Sequence, residues 1–317
     1  MRQSLSYSKR ETLETCLRRY FYEYYAAAKK VPFDASRKAA IASLKEMSGL
    51  HMVYGDAGHW FIEQYLKKGE SSRSWVQQTA FEKFDKAVLF SRDPRYRGRR
   101  HLEKYPPPAI MEYEFGDPDA DSLSASLREA LVSSLDNFYR PGPVRETWQQ
   151  IIAGEHWVEK RLSGLPKIDG FDVEGRADLV GRDAAGVRIV DWKFGQPGGT
   201  QDSLQLHIYG LLAEKEFGIS PENVRVQRIF LRGGTVEPER ALDRASLRVG
   251  RARLIQDIEL MRELDPYGQA GNEEAFTPCK QINVCKQCKY RTACPEGAAL
   301  FDRKPISACS PLSQTPV

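Results

Sequence analysis

Apolar residues recur at helical spacing over residues 4–30, the first patterned stretch of the chain. Ser6 or Ser8 can cap a helix there, because a serine hydroxyl can accept a hydrogen bond from a free amide of the first helical turn. One stripe of this helix carries the apolar and aromatic side chains, namely Leu13, Cys16, Leu17, Tyr20 and Tyr24. The pattern predicts an amphipathic helix with Cys16 facing inward.

A second amphipathic helix is predicted over about residues 54–68, in the sequence YGDAGHWFIEQYLKK. His59 and Glu63 lie one turn apart in it and therefore share a face. Residues 70–150 are mixed. SRDPRYRGRRHLEKYPPP is typical of an irregular basic loop, whereas LSASLREALVSSLDNFYR is typical of an amphipathic helix. We interpret this region as an insertion.

From residue 155 the pattern changes to that of β-strands. The segments EHWVEKRLSG, GFDVEGRADLVG and VRIVDWKFG alternate or run apolar, and the turn sequence RDAAG joins the second and third as a hairpin. A helix with Leu204, Ile208, Leu211 and Leu212 inward follows, and then the strand NVRVQRIFLRG. The order β-β-β-α-β, with a further helix at about 242–264, predicts an α/β fold.

Composition is that of a globular protein. The 317 residues are 41% hydrophobic, enough to bury a full core, and this excludes disorder throughout. Net charge is only +4, from 47 Lys+Arg and 43 Asp+Glu, so any nucleic-acid surface must be local. The apolar runs are too short to span a bilayer, and MRQSLSYSKR has no apolar leader core. We therefore expect a cytoplasmic protein with no membrane partner.

The strand VRIVDWKF places an aspartate and a lysine two residues apart in an otherwise apolar run. Alternation sends Asp191 and Lys193 to the same face, as either a structural ion pair or part of a site. Asp178 lies on the neighbouring strand, and His59 comes from the preceding helix. Two carboxylates and an imidazole can bind a divalent cation, and an ammonium can stabilise charge on a phosphate. This constellation indicates phosphodiester hydrolysis.

Four of the six cysteines lie within sixteen residues near the C-terminus. Without a secretory signal, such clustering indicates a metal site and not a disulfide framework. Two alternatives remain open. Cys279, Cys285, Cys288 and Cys294 could form a local zinc site, or the C-x-x-C-x5-C spacing of the last three could need the remote Cys16. Cys309, in the polar tail, is interpreted as a free thiol.

The motifs G-x-A-D at 175–178, D-W-K at 191–193 and Gln205-x-x-x-Tyr209 together resemble the PD-(D/E)XK nuclease superfamily. More narrowly, they resemble its RecB/AddB branch and the CRISPR-associated adaptation nucleases. The resemblance implies a restriction-endonuclease-like α/β core: a central mixed sheet flanked by helices, with a helical insertion and an iron-sulfur C-terminal segment.

The resemblance also implies a role for each matching residue. Gly55-Asp-Ala-Gly-His59 matches the family's G-x-x-x-H segment. Mg²⁺ or Mn²⁺ would be held by His59, Asp178, Asp191 and the backbone carbonyl of Trp192. The implied catalytic residues are Asp178, Asp191, Lys193, Gln205 and Tyr209. Glu159 lies near the family's strand acid and is a further candidate.

Iron-sulfur members of this branch carry one cysteine near the N-terminus and three in C-x-x-C-x5-C spacing near the C-terminus. The resemblance therefore implies a [4Fe-4S] cluster held by Cys16, Cys285, Cys288 and Cys294. This chain departs from the family in two ways: Leu17 replaces the usual proline, and Cys279 is extra.

We expect one nuclease domain over residues 1–300, with its core at about 1–69 and 151–300, an insertion at about 70–150, and a flexible tail at 301–317. The expected function is metal-dependent DNA hydrolysis, as an exonuclease or a flap- or end-processing enzyme on single-stranded DNA. The pathway would be DNA repair, recombination or antiviral defence, with a helicase or defence-complex partner.

Two other functions are compatible with the same residues. The chain could be a DNA-binding scaffold subunit with weak or no cleavage, or a site-specific endonuclease. The latter would need a recognition element within 70–150, and none is detectable there. Arg92, Arg95, Arg97, Arg99 and Arg100, with Tyr96, could contact a DNA backbone or form a solvated loop.

Overall fold

The computed structural model describes residues 4–26, 31–97, 102–163, 165, 167–197, 204–266 and 272–301. The proposed tail from residue 302, with Cys309, lies outside the described residues, as do Arg99, Arg100 and the side chain of Arg97. None of the described helices is long and apolar enough to cross a membrane.

Helices and strands follow one another in short runs of the same type along the chain. The strands are β1 (Ser4–Ser6), β2 (Met47–Ser48), β3 (Ala109–Ile110), β4 (Glu155–Leu162), β5 (Asp172–Asp183), β6 (Gly186–Lys193), β7 (Val224–Phe230), β8 (Thr235–Val236) and β9 (Arg240–Ala241). The helices are α1 (Tyr7–Thr15), α2 (Leu17–Tyr24), α3 (Ala35–Lys45), α4 (Leu50–Lys68), α5 (Arg73–Arg92), α6 (Pro94–Arg97), α7 (Met111–Glu114), α8 (Ala120–Tyr139), α9 (Pro143–Ile152), α10 (Leu204–Phe217), α11 (Arg244–Leu264), α12 (Ile282–Lys286) and α13 (Pro295–Leu300).

The main sheet is mixed. β4, β5 and β6 form an antiparallel meander, and β7 runs parallel to β6 after the α10 crossover. β1 adds a parallel pairing to the start of β5, while β8 and β9 pair antiparallel with β7. The predicted order β-β-β-α-β is confirmed, and so are the hairpin between β5 and β6 and the mixed sheet flanked by helices.

The sheet separates two hydrophobic cores, because side chains alternate along each strand. In β6, Val187 and Ile189 pack with residues of α1, α2, α3, α10 and α11. Val190 and Trp192 point the other way, into a core formed with α4, α5, α8 and α9. A site on this sheet can therefore receive side chains from α10 on one side and from α4 on the other.

The prediction of a single N-terminal helix is wrong in one respect. The segment forms two helices, α1 and α2, with a break at Cys16. The backbone of Cys16 is extended, with φ −166° and ψ 116°. Its thiol accepts a hydrogen bond from the amide of Arg19 (3.5 Å) and so caps α2. The predicted capping serine is confirmed, because Ser6 accepts from the amide of Lys9. Cys16 is half-buried at the break and does not lie on a continuous apolar stripe.

Residues 70–150 are largely helical and pack against the sheet. Phe138 of α8 lies 5.6 Å from Trp192 between ring centroids and stacks on Trp148 of α9 at 5.1 Å. The predicted basic loop is partly wrong, since Arg92 ends α5 and Arg95 lies in the short helix α6. Both arginines pair with carboxylates: Arg92 with Asp121 (3.2 Å) and Arg95 with Asp93 (2.5 Å).

Candidate active site

The carboxyl-terminal end of β6 carries the aspartate and lysine of the D-W-K motif. Asp191 is only 2% exposed, and its Oδ2 lies 2.6 Å from Nζ of Lys193. The lysine side chain is 24% exposed, so the pair extends from the sheet interior toward solvent. A buried carboxylate is costly unless it is paired, and Lys193 supplies that pairing.

Helix α10 fixes this pair from one side of the sheet. Gln205 donates to Oδ1 of Asp191 (3.0 Å) and accepts from Lys193 (2.9 Å), so its amide bridges the two charged groups. Tyr209, one turn further, accepts from Gln205 (2.9 Å) and donates to the carbonyl of Arg176 on β5 (2.7 Å). The Q-x-x-x-Y motif therefore holds the position of both charged side chains.

The close approach of α10 to β5 requires Gly175. A Cβ at this position would lie 2.8 Å from Cδ1 of Leu212 and 3.2 Å from the ring of Tyr209. Glycine is the residue that permits such contact between a helix and a strand. A side chain at this first position of the G-x-A-D motif would force Leu212 or Tyr209 to move.

Helix α4 brings His59 to the site from the opposite side. Nδ1 of His59 lies 3.7 Å from Oδ1 of Asp178, and its ring centroid lies 5.2 Å from that of Phe194. A Cβ at Gly58 would lie 2.0 Å from the Phe194 ring, whereas a Cβ at Gly55 would meet nothing within 4 Å. Gly58, and not the motif residue Gly55, is the glycine that helix packing requires.

A break in the β4–β5 ladder directs two carboxylates toward His59. Val158 pairs with Leu179 and Lys160 with Ala177, but Glu159 and Asp178 between them do not pair. Glu159 has φ +57°, which is uncommon for a residue with a side chain.

The faces of β5 change at the same break. Ala177 packs in one core and Leu179 in the other, although alternation would place residues two apart on one face. Ladder irregularities of this kind re-aim side chains, and they are frequent next to active sites.

The break creates a group of three metal-binding side chains. Ligand atoms of His59, Glu159 and Asp178 all lie within 4.8 Å of one another, and this is the one such group of at least three ligands within the described residues. Oδ2 of Asp178 also accepts the amide proton of Trp192 (2.7 Å). One imidazole and two carboxylates are a donor set suited to a divalent cation, so the residues present fit such an ion.

A sequence model of the PD-(D/E)XK nuclease superfamily matches residues 4–295, most of the chain. The chain belongs to the PD-(D/E)XK nuclease superfamily. Nucleases of this superfamily use divalent metals, in agreement with the three-residue group at the ladder break. No curated protein sequence matches the chain at a significant level.

The predicted site residues of this PD-(D/E)XK nuclease form one connected constellation. The contacts described above join the side chains of Asp191, Lys193, Gln205 and Tyr209. Asp178 is linked to them through the main-chain amide of Trp192, which lies between Asp191 and Lys193 in the chain. Asp191 is not part of the three-residue group, and its place as a metal ligand stays a prediction, as does that of the Trp192 carbonyl.

Glu159 enters the metal-binding group instead. The sequence around Glu159 marks it only weakly as a site residue. Its carboxylate reaches the group because its backbone is left-handed, and a sequence pattern does not indicate that conformation.

Burial dominates the electrostatics of the metal-binding group. Burial, together with the positive charge of Lys193, lowers the pKa of His59 to about 4, so the imidazole is neutral and able to bind a metal at pH 7. Burial and the neighbouring charge of Asp191 raise the pKa of Asp178 well above its ordinary value. A buried carboxyl of this kind gains most when a cation replaces its proton.

An arginine neutralises Glu159. Burial raises the pKa of Glu159, and the nearby Arg176 guanidinium opposes that rise. Nε of Arg176 lies 2.6 Å from Oε2 of Glu159, and Arg176 is 62% exposed. The guanidinium thus occupies one side of a carboxylate that also faces His59 and Asp178.

A second cluster of candidate ligands joins the two ends of the chain. The thiols of Cys16, Cys279, Cys285, Cys288 and Cys294 line a single pocket, and none of these described cysteines forms a disulfide. Burial raises the pKa of Cys285 to about 11 and that of Cys294 to about 12.

The extra cysteine lies within this cluster. Cys279 interacts with both Cys16 and Cys285. Its thiol raises the pKa of each, whereas its backbone hydrogen bond lowers the pKa of Cys16. Cys294 instead donates to Oε2 of Glu296 (3.3 Å). The fold therefore brings the predicted remote cysteine to the C-terminal cysteines, and it places Cys279 among them.

Proposed function

We propose that this PD-(D/E)XK protein is a metal-dependent deoxyribonuclease that hydrolyses phosphodiester bonds at the β4–β5–β6 site. The observation that carries the proposal is the grouping of His59, Glu159 and Asp178 next to the Asp191–Lys193 pair. A bound Mg²⁺ or Mn²⁺ supplies Lewis-acid stabilisation of charge on the phosphate and lowers the pKa of a water nucleophile.

Lys193 is the residue that would stabilise the phosphate. Its ammonium has three N–H donors, and Asp191 and Gln205 occupy two of them. One donor is left for a non-bridging phosphate oxygen or the attacking water. Because Gln205 and Tyr209 fix the lysine from α10, this charge is already in place before the transition state forms.

The substrate would enter through an open cleft beside α10. The cleft has a volume of about 510 Å³, and Glu159, Arg176, Gln205 and Tyr209 are among its lining residues. The cleft reaches Glu159 at the ladder break. Single-stranded ends or flaps, cut as an exonuclease or end-processing enzyme would, are the substrates we propose.

The finer assignment rests on the motifs. The G-x-A-D, D-W-K and Q-x-x-x-Y motifs, together with the spacing of the cysteines, support the RecB/AddB branch and a relation to CRISPR-associated adaptation nucleases. A helicase or defence-complex protein would then be the partner, in DNA repair, recombination or antiviral defence.

The same branch implies a [4Fe-4S] cluster held by Cys16, Cys285, Cys288 and Cys294. Cys16 lines the same pocket as the three cysteines of the C-x-x-C-x5-C segment. This approach of the remote cysteine supports the cluster over a zinc site made only of local cysteines.

Cleavage of labelled single- and double-stranded DNA, with and without Mn²⁺, tests the proposed activity. We expect metal-dependent cleavage, and Lys193→Ala should lower its rate by about 10²–10³-fold, as for loss of one preorganised transition-state donor. Lys215→Ala is the matched control, since this exposed lysine at the end of α10 is 4.0 Å from Glu214 and contacts no site residue.

Equal rates for Lys193→Ala and the wild type would contradict the site assignment. DNA binding without cleavage in every metal would favour the scaffold alternative.

A further inference from the structure

Two tryptophans from different helices meet on the surface next to the candidate metal site. Trp60 directly follows His59 on α4, and Trp75 lies on α5 with its ring centroid 6.1 Å from that of Trp60. Trp75 is 54% exposed. Trp60 is half-buried against the core that includes α4 and α5. Large aromatic rings are normally removed from water on folding, so the exposed ring of Trp75 beside it indicates a binding surface.

Lysines lie over both rings. Nζ of Lys83 is 5.0 Å from the Trp60 centroid, and Nζ of Lys68 is 4.8 Å from the Trp75 centroid. Neighbouring Lys67 and Lys86 pair with Glu63 (2.6 Å) and Glu103 (2.8 Å). No carboxylate of the described residues pairs with Lys68 or Lys83 in this way. Both ammonium groups are therefore available to another anion.

A groove begins at Trp60 and runs between α4, α5 and the segment before β3. Its volume is about 600 Å³, and Tyr105, 79% exposed, lies on its wall with Pro106, Pro107 and Pro108. Asp56 and Glu82 also line it, so the lining is not strongly basic. Aromatic faces, with cations beside them, are its distinctive chemistry.

We propose that this groove, together with Trp75 and Lys68 beside its Trp60 end, binds the bases of a single-stranded nucleic acid. Trp60 and Trp75 would be the stacking platforms, and Lys68 and Lys83 would bind the phosphates. Every base has a π-face, so stacking on tryptophan is strong and tolerant of sequence. A stacked base would displace a lysine from the ring face, because an exposed cation–π contact is the weaker of the two interactions. The freed ammonium is then placed to bind the adjoining phosphate.

The groove and the metal-binding group share helix α4, on which Trp60 directly follows His59. Two walls of the groove, α5 and the Tyr105–Pro108 segment, come from the region 70–150 that no catalytic motif accounts for. The inference rests on the proposed nuclease function, and it gives that region the role of holding the single strand.

Binding in EDTA, where cleavage cannot interfere, tests the groove. The probes are a labelled oligothymidylate and an abasic oligonucleotide of equal length, measured by fluorescence anisotropy. We expect Trp75→Ala to weaken oligothymidylate binding by about 5- to 150-fold, as for loss of one stacked base, and to leave abasic binding unchanged. Trp75→Phe should retain most of the wild-type affinity for oligothymidylate. Lys83→Ala should weaken the binding of both oligonucleotides. It should also reduce the slope of the logarithm of the binding constant against the logarithm of salt concentration by about 0.7.

Val249→Ala is the control, because Val249 is 67% exposed on α11, in the other half of the fold. Equal oligothymidylate affinity for Trp75→Ala and the wild type would overturn the inference even if Mn²⁺-dependent cleavage is normal. Conversely, a base-dependent loss in Trp75→Ala without any cleavage would support the groove and refute the nuclease. No binding of oligothymidylate by the wild type would also overturn it.

Discussion

Glu159 has an unfavourable backbone conformation within the metal-binding group. Its left-handed backbone, φ +57°, costs on the order of 1–3 kcal/mol for a residue with a side chain. In return, its carboxylate faces His59 and Asp178. Without a cation, that carboxylate is neutralised by Arg176 at 2.6 Å. We therefore expect the guanidinium and a metal ion to compete for this carboxylate.

This competition predicts the effect of Arg176→Ala. Removing the guanidinium should tighten Mn²⁺ binding by up to about fivefold, the equivalent of an exposed ion pair of ~1 kcal/mol. Calorimetric titration with Mn²⁺ measures it. Arg161→Ala is a matched control on the adjacent strand, because Arg161 pairs with Glu174 and not with a metal-binding residue. Weaker Mn²⁺ binding by Arg176→Ala would show that the arginine supports the site and does not compete for it.

Asp178 makes the stability of the metal-free protein depend on pH. Burial and Asp191 raise its pKa, so the folded state binds this proton more tightly than the unfolded chain does. The pKa of an aspartate in the unfolded chain is about 3.9. The free energy of unfolding therefore falls as the pH rises from that value toward the raised pKa of Asp178 in the folded state.

Asp178→Asn should abolish that loss. An asparagine oxygen can still accept the 2.7 Å hydrogen bond from the Trp192 amide. We expect a higher midpoint of thermal unfolding than wild type in EDTA at pH 7 and a smaller difference near pH 4. Mn²⁺ should stabilise only the wild type. Asp136→Asn, at an exposed position on α8, is the control. A lower unfolding midpoint than that of the wild type at pH 7 would show that the charge of Asp178 does not destabilise the folded protein.

At the scale of elements, the docking of α4 on the end of β6 decides whether the histidine reaches the carboxylates. A side chain at Gly58 would overlap the Phe194 ring, which is buried at 6% exposure. Gly58→Ala should therefore push α4 outward, destabilise the protein by about 1–3 kcal/mol and weaken Mn²⁺ binding.

Gly55→Ala, one turn earlier on the same helix, is the matched comparison. Its Cβ would meet nothing within 4 Å, so the higher helix propensity of alanine should stabilise the protein by up to ~1 kcal/mol. Chemical denaturation and Mn²⁺ titration of both variants measure these effects. Equal behaviour of the two variants would mean that the Phe194 ring can move aside freely.

At the scale of the whole molecule, direct contacts already hold the chain ends together. Arg18 of α2 pairs with Glu273 (3.1 Å) and donates to the carbonyl of Phe276 (2.8 Å). Tyr290 donates to Glu23 (2.8 Å). The cysteine pocket lies within this junction, so a cluster bound there would add to contacts that exist without it.

If the proposed [4Fe-4S] cluster is present, Cys16→Ser should bleach the protein, lower its iron content and lower its unfolding midpoint. Cys279→Ser should leave colour and midpoint close to those of the wild type. Visible absorbance, elemental analysis and thermal unfolding measure these outcomes. One zinc and no iron per chain would contradict the cluster. Bleaching by Cys279→Ser but not by Cys294→Ser would show that the thiol beside Cys16 and Cys285 is the fourth ligand.

Much of the fold was predictable because its signals are local. The alternation in β5 and β6, the turn between them and the apolar spacing of α10 each depend on a few neighbouring residues. Strand alternation also places Asp191 and Lys193 on one face. Gln205 and Tyr209 were marked by the resemblance of their motif to that of a known superfamily, and the direction of Asp178 depends on the ladder break.

The sequence by itself therefore determined the order of the strands, the mixed sheet and the motif residues on β5, β6 and α10. Only the tertiary structure decided that Glu159 joins His59 and Asp178, that α4 needs Gly58 and not Gly55, and that Trp60 meets Trp75. Each of these depends on contact between segments far apart in the chain or on one unusual backbone angle. A periodic pattern in the sequence indicates only which face of its own helix or strand a residue occupies. It therefore predicts neither contacts between distant segments nor an unusual backbone angle.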